Sequence, residues 1–120
     1  MKKSKTTYSK GIEDFLNFLR DSENEYNYHH ENVNKCDKEQ QNILHEFEIP
    51  VPNYKQRGKL GTQLTKLRLE RRDSKDTVEL TKDIVSFYSE NKPVIKKLER
   101  ILGDIRKYEN FMETRTYKQR

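Results

Sequence analysis

The first third of the chain carries apolar residues at a seven-residue spacing. The repeat runs through Ile12, Leu19, Tyr26, Val33, Gln40 and Phe47, and the pairs Phe15–Leu16 and Ile43–Leu44 lie between its members. A seven-residue repeat keeps one face of a helix apolar while that helix supercoils against a neighbour. The repeat predicts a first helix over residues 11–49, after a basic tail of residues 1–10, with Ser9 as the N-cap.

A second pattern begins after Pro50 and Pro52. Each proline removes a backbone hydrogen-bond donor and disfavours helical geometry in the residue before it. Residues 50–58 are therefore the predicted linker, and residues 59–90 are the predicted second helix. Its seam alternates four and three residues apart through Leu60, Leu64, Leu67, Arg71, Ser74, Val78, Thr81, Val85 and Tyr88.

Two details of the second helix refine this prediction. Residues 70–77 are entirely polar, but the seam keeps its phase across them, so the pattern favours one continuous helix. In the later half, Leu80, Ile84 and Phe87 form a second stripe beside the seam. A face widened in this way is typical of a helix that contacts two neighbours.

Asn91 and Pro93 mark the next turn. A third helix is predicted over residues 92–114, before a basic tail of residues 115–120. Its seam is Val94, Leu98, Ile101, Ile105, Tyr108 and Met112, with Ile95, Leu102 and Phe111 beside it. The predicted fold is one all-α domain over residues 1–120. It is an elongated antiparallel three-helix bundle, or a helical hairpin with coiled-coil-like packing, whose shorter third helix covers the later part of the second.

Composition and charge limit what such a domain can do. Charged residues make up 38% of the chain and hydrophobic residues only 31%, so a broad core is excluded. Net charge is −7 over residues 11–50 and +8 over residues 51–120. This asymmetry indicates two halves that attract each other, or a basic face for an anionic partner. No apolar run is long enough to span a membrane, and no apolar stretch typical of a signal peptide follows the basic start.

Antiparallel packing of the first two helices would place their polar seam positions together. If Phe47 meets Gly61 near the turn, the numbers of paired residues sum to about 108, so Asp37 lies opposite Arg71 and Gln40 opposite Arg68, within about one turn. Charges on a seam are costly unless they are paired, so we predict that Arg71 binds an acid of the first helix, most simply Asp37. Asp37, Gln40 and Arg71 would then form a structural polar layer that sets the register.

Basic residues are densest in the stretch between residues 55 and 75. The candidate binding residues are Lys55, Arg57, Lys59, Lys66, Arg68, Arg72 and Lys75. Arg68 and Arg72 share a helix face, and such a face could contact an acidic protein surface or neutralise phosphates. Glu70, Asp73 and Asp76 interrupt the stretch and would repel phosphate. Both kinds of partner therefore stay open.

Catalytic and metal-binding motifs are missing from the sequence. The four glycines are scattered, so no phosphate-binding loop forms, and the three histidines and Cys36 lack the spacing of a metal site. No enzymatic activity, metal or cofactor is expected. Cys36, the one cysteine, favours a reducing compartment and reads as a half-buried thiol, whereas the histidines read as solvated.

Four segments carry a resemblance to a known group of proteins. They are Gln41-Asn42-Ile43-Leu44-His45-Glu46-Phe47-Glu48, the pattern Arg57-x-Lys59-Leu60-x-x-x-Leu64-x-x-Leu67-Arg68-x-Glu70-Arg71-Arg72-x-x-Lys75, then Leu102-Gly103-x-Ile105-Arg106-Lys107 and Arg115-x-Tyr117. Over residues 40–117 the chain resembles small, largely uncharacterised helical proteins of phages and prophages in low-GC Gram-positive bacteria. The resemblance implies a phage setting, a location in the bacterial host cytoplasm and a small accessory role. It supplies no catalytic residue.

These observations favour a non-enzymatic phage or prophage accessory protein that acts by protein–protein interaction. Its partner would be a host or phage protein, and the expected effect is host takeover or anti-defence, by inhibition of a host defence or replication component. A helical protein with so thin a core gains stability from a partner or from forming a homo-oligomer. The alternative is a nucleic-acid-binding accessory protein that uses the basic 55–75 stretch, and a third reading is a structural component of a virion.

Overall fold

Three helices occupy the part of the chain that the computed structural model describes, which is the backbone of residues 3–48 and 54–118 and the side chains of residues 8–48 and 55–115. They are α1 (Lys3–Glu48), α2 (Tyr54–Glu90) and α3 (Lys92–Lys118). No strand occurs within these ranges, so the predicted all-α class is confirmed, and the third helix is the shortest. As predicted, α2 runs without a break through the polar residues 70–77.

The first helix begins eight residues before its predicted start. Residues 3–10 contain neither proline nor glycine, so nothing in their backbone stops the helix. Ser9 is therefore inside α1 rather than at its cap, and the N-cap prediction is wrong. The Ser9 hydroxyl instead donates a hydrogen bond to Glu109 Oε1 at 3.0 Å, which ties α1 to α3.

The other helix ends also differ from the predicted bounds. α2 begins at Tyr54, within the predicted linker, and passes through Gly58 and Gly61 without interruption. α3 continues to Lys118, through most of the predicted basic tail. Residue 49, which is the predicted end of the first helix, the linker residues 50–53 and the terminal residues 1, 2, 119 and 120 lie outside the described residues.

Contacts between the helices group the chain into two compact units. The first unit contains α1 up to Ser22 together with the chain from Ile84 onward, and the second contains residues 23–83. α1 and α2 each contribute to both units, whereas α3 belongs to the first.

In the second unit α1 packs against α2 along the predicted seam. Cys36 and Ile43 are buried on α1, and Ser74 is buried on α2. The other seam residues of α2 in this unit are all half-buried: Leu60, Leu64, Leu67, Arg71, Val78 and Thr81. In the predicted second stripe, by contrast, Leu80 is 76% and Phe87 43% exposed, so the predicted widening of the face is wrong at both positions, and only Ile84 is half-buried. Leu80 lies off the seam, and contact with α1 alone does not reach it.

The core of the first unit is a cluster from all three helices. It consists of Leu16, Leu19, Tyr88, Ile95 and Leu102, with Ile12, Ile84 and Leu98 packed against it. The third seam was predicted one residue out of phase, because Val94, Ile101 and Tyr108 are exposed and their neighbours Ile95 and Leu102 are buried. Both candidate seams of α3 share Leu98, Ile105 and Met112, so the apolar pattern alone does not distinguish them.

Polar contacts show that α3 runs antiparallel to the beginning of α1. Ser9 contacts Glu109, Glu13 pairs with Arg106 Nη2 at 3.0 Å, and Arg20 pairs with Glu99 at 3.8 Å. As residue numbers rise along α1, those of its partners on α3 fall, which is the mark of antiparallel packing. The third helix was predicted to lie on the later part of the second. These three pairs show that α3 also packs against α1. They are consistent with the side of α3 that is buried, which carries Ile95 and Leu102.

The junction between α2 and α3 is a single residue. The Asn91 amide donates to the Phe87 carbonyl at 3.0 Å, and the Asn91 carbonyl accepts from the Ile95 amide at 3.0 Å. Both bonds have the four-residue spacing of an α-helix. Pro93, as predicted, sits in the first turn of α3, where its missing N–H costs nothing.

Candidate functional site in the second unit

The predicted ion pair between the first two helices is present. Arg71 Nε donates to Asp37 Oδ1 at 2.5 Å, with 34% of the Arg71 side chain and 46% of the Asp37 side chain exposed. Because Arg71 belongs to the seam of α2, its guanidinium reaches the edge of the helix pair and meets the acid there. The pairing offsets the cost of a charge at a half-buried position.

A second polar group lies one turn further along and was not predicted. Asn32 Nδ2 donates to Ser74 Oγ at 2.8 Å and to Glu70 Oε2 at 3.2 Å, and the Cys36 thiol lies 3.7 Å from the same Glu70 oxygen. His29 Nδ1 lies 2.8 Å from Ser74 Oγ. The polar contacts between α1 and α2 therefore extend beyond the pair of Asp37 and Arg71.

The hydroxyl of Ser74 links two residues of α1. Its oxygen accepts a hydrogen bond from Asn32 and lies within hydrogen-bonding distance of His29 Nδ1. The other ring nitrogen of His29, Nε2, lies 3.8 Å from Glu25 Oε1. With 21% of its side chain exposed, His29 is half-buried and not solvated as predicted, whereas His30 and His45 are exposed.

Cys36 is more deeply buried than the sequence predicts. It was expected to be half-buried, but only 1% of the residue is exposed. Removal from water, and then the negative charge of Glu70, raise the pKa of the Cys36 thiol above its ordinary value. A buried thiol with a raised pKa is a poor nucleophile and a poor metal ligand.

Beside the Arg71–Asp37 pair, α1 and α2 line a surface groove of about 470 Å³. We call it the basic groove, and its lining residues are Asp37, Gln40, Arg68, Arg71, Arg72, Lys75 and Asp76. Arg68, Arg72 and Lys75 are exposed and form no ion pair within the described part of the chain. The structure thus brings together three of the candidate binding residues and all three residues of the predicted polar layer.

The remaining candidate binding residues lie elsewhere. Lys66 lines a different groove, on the opposite side of the α2 seam, with Glu39 and Glu70. Lys55, Arg57 and Lys59 are exposed on the first turns of α2. The dense basic stretch of the sequence therefore does not form a single basic face, because successive charges of a helix point in different directions.

The arrangement of Ser74 and His29 resembles a nucleophile beside a base, but access is missing. Only 1% of Ser74 is exposed, so its hydroxyl cannot reach a substrate. Among the described residues, no group of three or more His, Cys, Asp or Glu side chains is placed to hold a metal ion. What the second unit offers chemically is a charged surface around a buried polar layer.

No helix in the described ranges is both long and apolar enough to cross a membrane. No family model, no curated protein and no solved structure matches the chain.

Proposed function

We propose that this chain is a non-enzymatic accessory protein of a phage or prophage that acts by binding another protein. The partner is a host or phage protein, and inhibition of a host defence or replication component, in the bacterial cytoplasm, is the effect we propose for binding. The phage setting rests on the sequence resemblance, and the mode of action rests on the basic groove.

The observation that carries the proposal is the set of free cations in the basic groove. Arg68, Arg72 and Lys75 surround an arginine that is already paired, and no acid among the described residues forms an ion pair with them. An acidic protein segment would supply the missing charges, and arginine is among the residues enriched at protein interfaces. Asp37 and Asp76 in the same groove favour a partner with both signs of charge over a uniformly negative phosphate backbone.

The test is capture of partners from lysate of the native host, compared between two charge-matched variants. The first is Arg68→Glu with Arg72→Glu in the basic groove, and the control is Lys55→Glu with Lys59→Glu on the same helix but outside the groove. We expect a protein to be retained by the wild type and by the control, and to be lost by the groove variant. The retained protein is then purified and titrated against all three forms.

Nucleic-acid binding is the second candidate, and the same three free cations are the observation that favours it. Titration of labelled single- and double-stranded DNA and RNA at low salt separates the two functions. Phosphate contacts would give affinity that falls steeply with salt, and the groove variant would reduce the salt slope by about 2, close to one unit per lost contact. Equal capture of a protein partner by both variants would reject the basic groove as its binding site.

A further inference from the structure

The first unit has two unlike sides. On one side, Glu13 pairs with Arg106 and Arg20 pairs with Glu99, so ion pairs line this edge of the α1–α3 interface. Each of these four residues directly follows a residue that is in the core cluster, packs against it or is half-buried: Ile12, Ile105, Leu19 and Leu98. The ion pairs show that, on both α1 and α3, residues one position after a core-facing residue meet on the same side of the two helices.

The opposite side is apolar. Between residues 12 and 22 and between residues 84 and 109, six large exposed side chains each directly precede a residue that faces the interior of the unit: Phe15, Phe18, Phe87, Val94, Ile101 and Tyr108. A residue one position before a core residue is rotated from it by about 100° around the helix axis. The residues of the ion pairs, one position after a core residue, are rotated by the same angle in the other direction. In an antiparallel pair, residues with the same rotational offset share one side. The five of these residues on α1 and α3 therefore lie on a single side of the unit. Phe87, on α2, continues the stripe, because it precedes Val94 by seven residues and four-residue hydrogen bonds link Phe87 to Asn91 and Asn91 to Ile95. We call these six residues the apolar face.

The apolar face is large relative to the core beneath it. The core cluster buries five apolar residues, whereas the apolar face leaves six exposed, between 41% for Ile101 and 55% for Tyr108. Phe87, Val94, Ile101 and Tyr108 are spaced seven residues apart, which is the repeat of a helix that packs against another helix. A contiguous exposed patch of this kind marks an interaction surface.

We propose that a second copy of this chain covers the apolar face, with α3 of one copy antiparallel to α3 of the other about a twofold axis at Ile101. Ile101 then meets its own counterpart, and Val94 meets Tyr108 of the second copy. The inference is independent of the proposed function, because the basic groove belongs to the other unit.

The charges at the edge of the apolar face fit this arrangement. Lys97 and Asp104 each lie three residues after a member of the stripe, so they share one edge of it. Neither forms an ion pair within the described residues. In the antiparallel arrangement Lys97 of one copy comes within one residue of Asp104 of the other, and the twofold axis makes this contact twice.

The area is sufficient for a stable dimer. From Phe87 to Tyr108 the stripe is about 32 Å long at about 1.5 Å per residue. Two helices packed side by side are roughly 18 Å wide, so each copy would bury about 600 Å². The total of about 1,200 Å² exceeds the roughly 1,000 Å² that a specific interface needs.

Light scattering after size-exclusion chromatography, over a range of concentrations, tests the proposal. We expect the wild type to have twice the 14.6 kDa mass of one chain. Ile101→Asp should halve the measured mass and leave the helical circular dichroism unchanged, because Ile101 is exposed within a single chain. The control Leu80→Asp, at an exposed apolar residue outside the apolar face, should keep the doubled mass.

A charge swap tests the antiparallel arrangement itself. Lys97→Glu should weaken association by about tenfold, and adding Asp104→Lys should restore it. A wild-type mass of one chain at every concentration, or a doubled mass for Ile101→Asp, would overturn the proposal. So would a monomer whose apolar face binds a different protein. The variants Arg68→Glu and Arg72→Glu should leave the mass unchanged, so failure of the proposed function is told apart from failure of this inference.

Discussion

The ion pair between Arg71 and Asp37 allows a quantitative test of how α1 and α2 are held together. With 34% and 46% of the two side chains exposed, the pair lies between a surface pair and a buried one. Exposed pairs contribute about 0.2–1 kcal/mol, and breaking a fully buried pair costs about 3–5 kcal/mol. Both partners are only partly exposed, so this pair belongs near the upper limit of the range for exposed pairs. We therefore expect a coupling energy of about 1 kcal/mol.

A double-mutant cycle measures that coupling. Asp37→Asn, Arg71→Gln and the double variant are unfolded in urea and followed by circular dichroism, and the double variant should lose less stability than the two single variants together. A cycle on Lys10 and Asp14 is the control, because that pair lies within α1 and its side chains are 67% and 59% exposed. Its coupling should be smaller than that of Arg71 and Asp37, as is typical of an exposed pair within one helix. A coupling for Arg71 and Asp37 below about 0.3 kcal/mol would contradict the reasoning.

Three further outcomes follow from burial. Ser74→Val should lower the free energy of unfolding by about 1–3 kcal/mol in urea titrations, because buried partners lose a hydrogen bond, whereas Ser89→Val on the surface should change it by less than about 0.5 kcal/mol. The raised pKa of Cys36 means that the folded state holds the thiol proton more tightly, so stability should fall as pH rises above the ordinary value of 9.0. In plots of the free energy of unfolding against pH, the wild type should have a steeper decline than Cys36→Ala above this pH. The difference between the two slopes should be at most about 1.4 kcal/mol per pH unit. Leu102→Ala should cost about 2–4 kcal/mol, and Leu80→Ala less than about 0.5 kcal/mol, in the same titrations.

The sequence was most informative for the second unit. The seam of α2 is set by residues that keep one phase from Leu60 to Thr81, and these residues are buried or half-buried in the structure. The relative register followed from placing Phe47 opposite Gly61 beside the turn, and Asp37 was correctly paired with Arg71. The contact between Asn32 and Ser74 was not predicted. It requires α1 and α2 to be displaced along their axes by about half a turn from the predicted register, and the apolar pattern does not indicate such a displacement.

The third helix shows where apolar patterning is insufficient. Val94 and Ile95 are equally suited to a core, as are Ile101 and Leu102, so two adjacent phases fit the sequence equally well. The choice is made by charged residues that meet partners on α1, among them Arg106. Those partners are far away in sequence, and a search along one helix does not reveal them.

The candidate site was predicted in part for a similar reason. Arg68, Arg72 and Lys75 share a helix face, so their place in one groove could be expected from their spacing. Lys66 is close to them in sequence but points into a different groove with two acids. A count of basic residues along the chain does not separate these two environments, whereas helical geometry does.

The antiparallel pairing of α1 with α3 is the claim on which the apolar face depends, and distances between spin labels test it directly. One label is placed at Lys10 and the second at Asn110, Gly103 or Lys96, in a Cys36→Ala background diluted with unlabelled protein. The three α3 sites are exposed, share one helix face, and step along it by about 10 Å each. A side chain at Gly103 would meet nothing within 4 Å. The distance from Lys10 should increase from Asn110 to Gly103 to Lys96, and a distance that decreases or stays constant along this series would contradict the account.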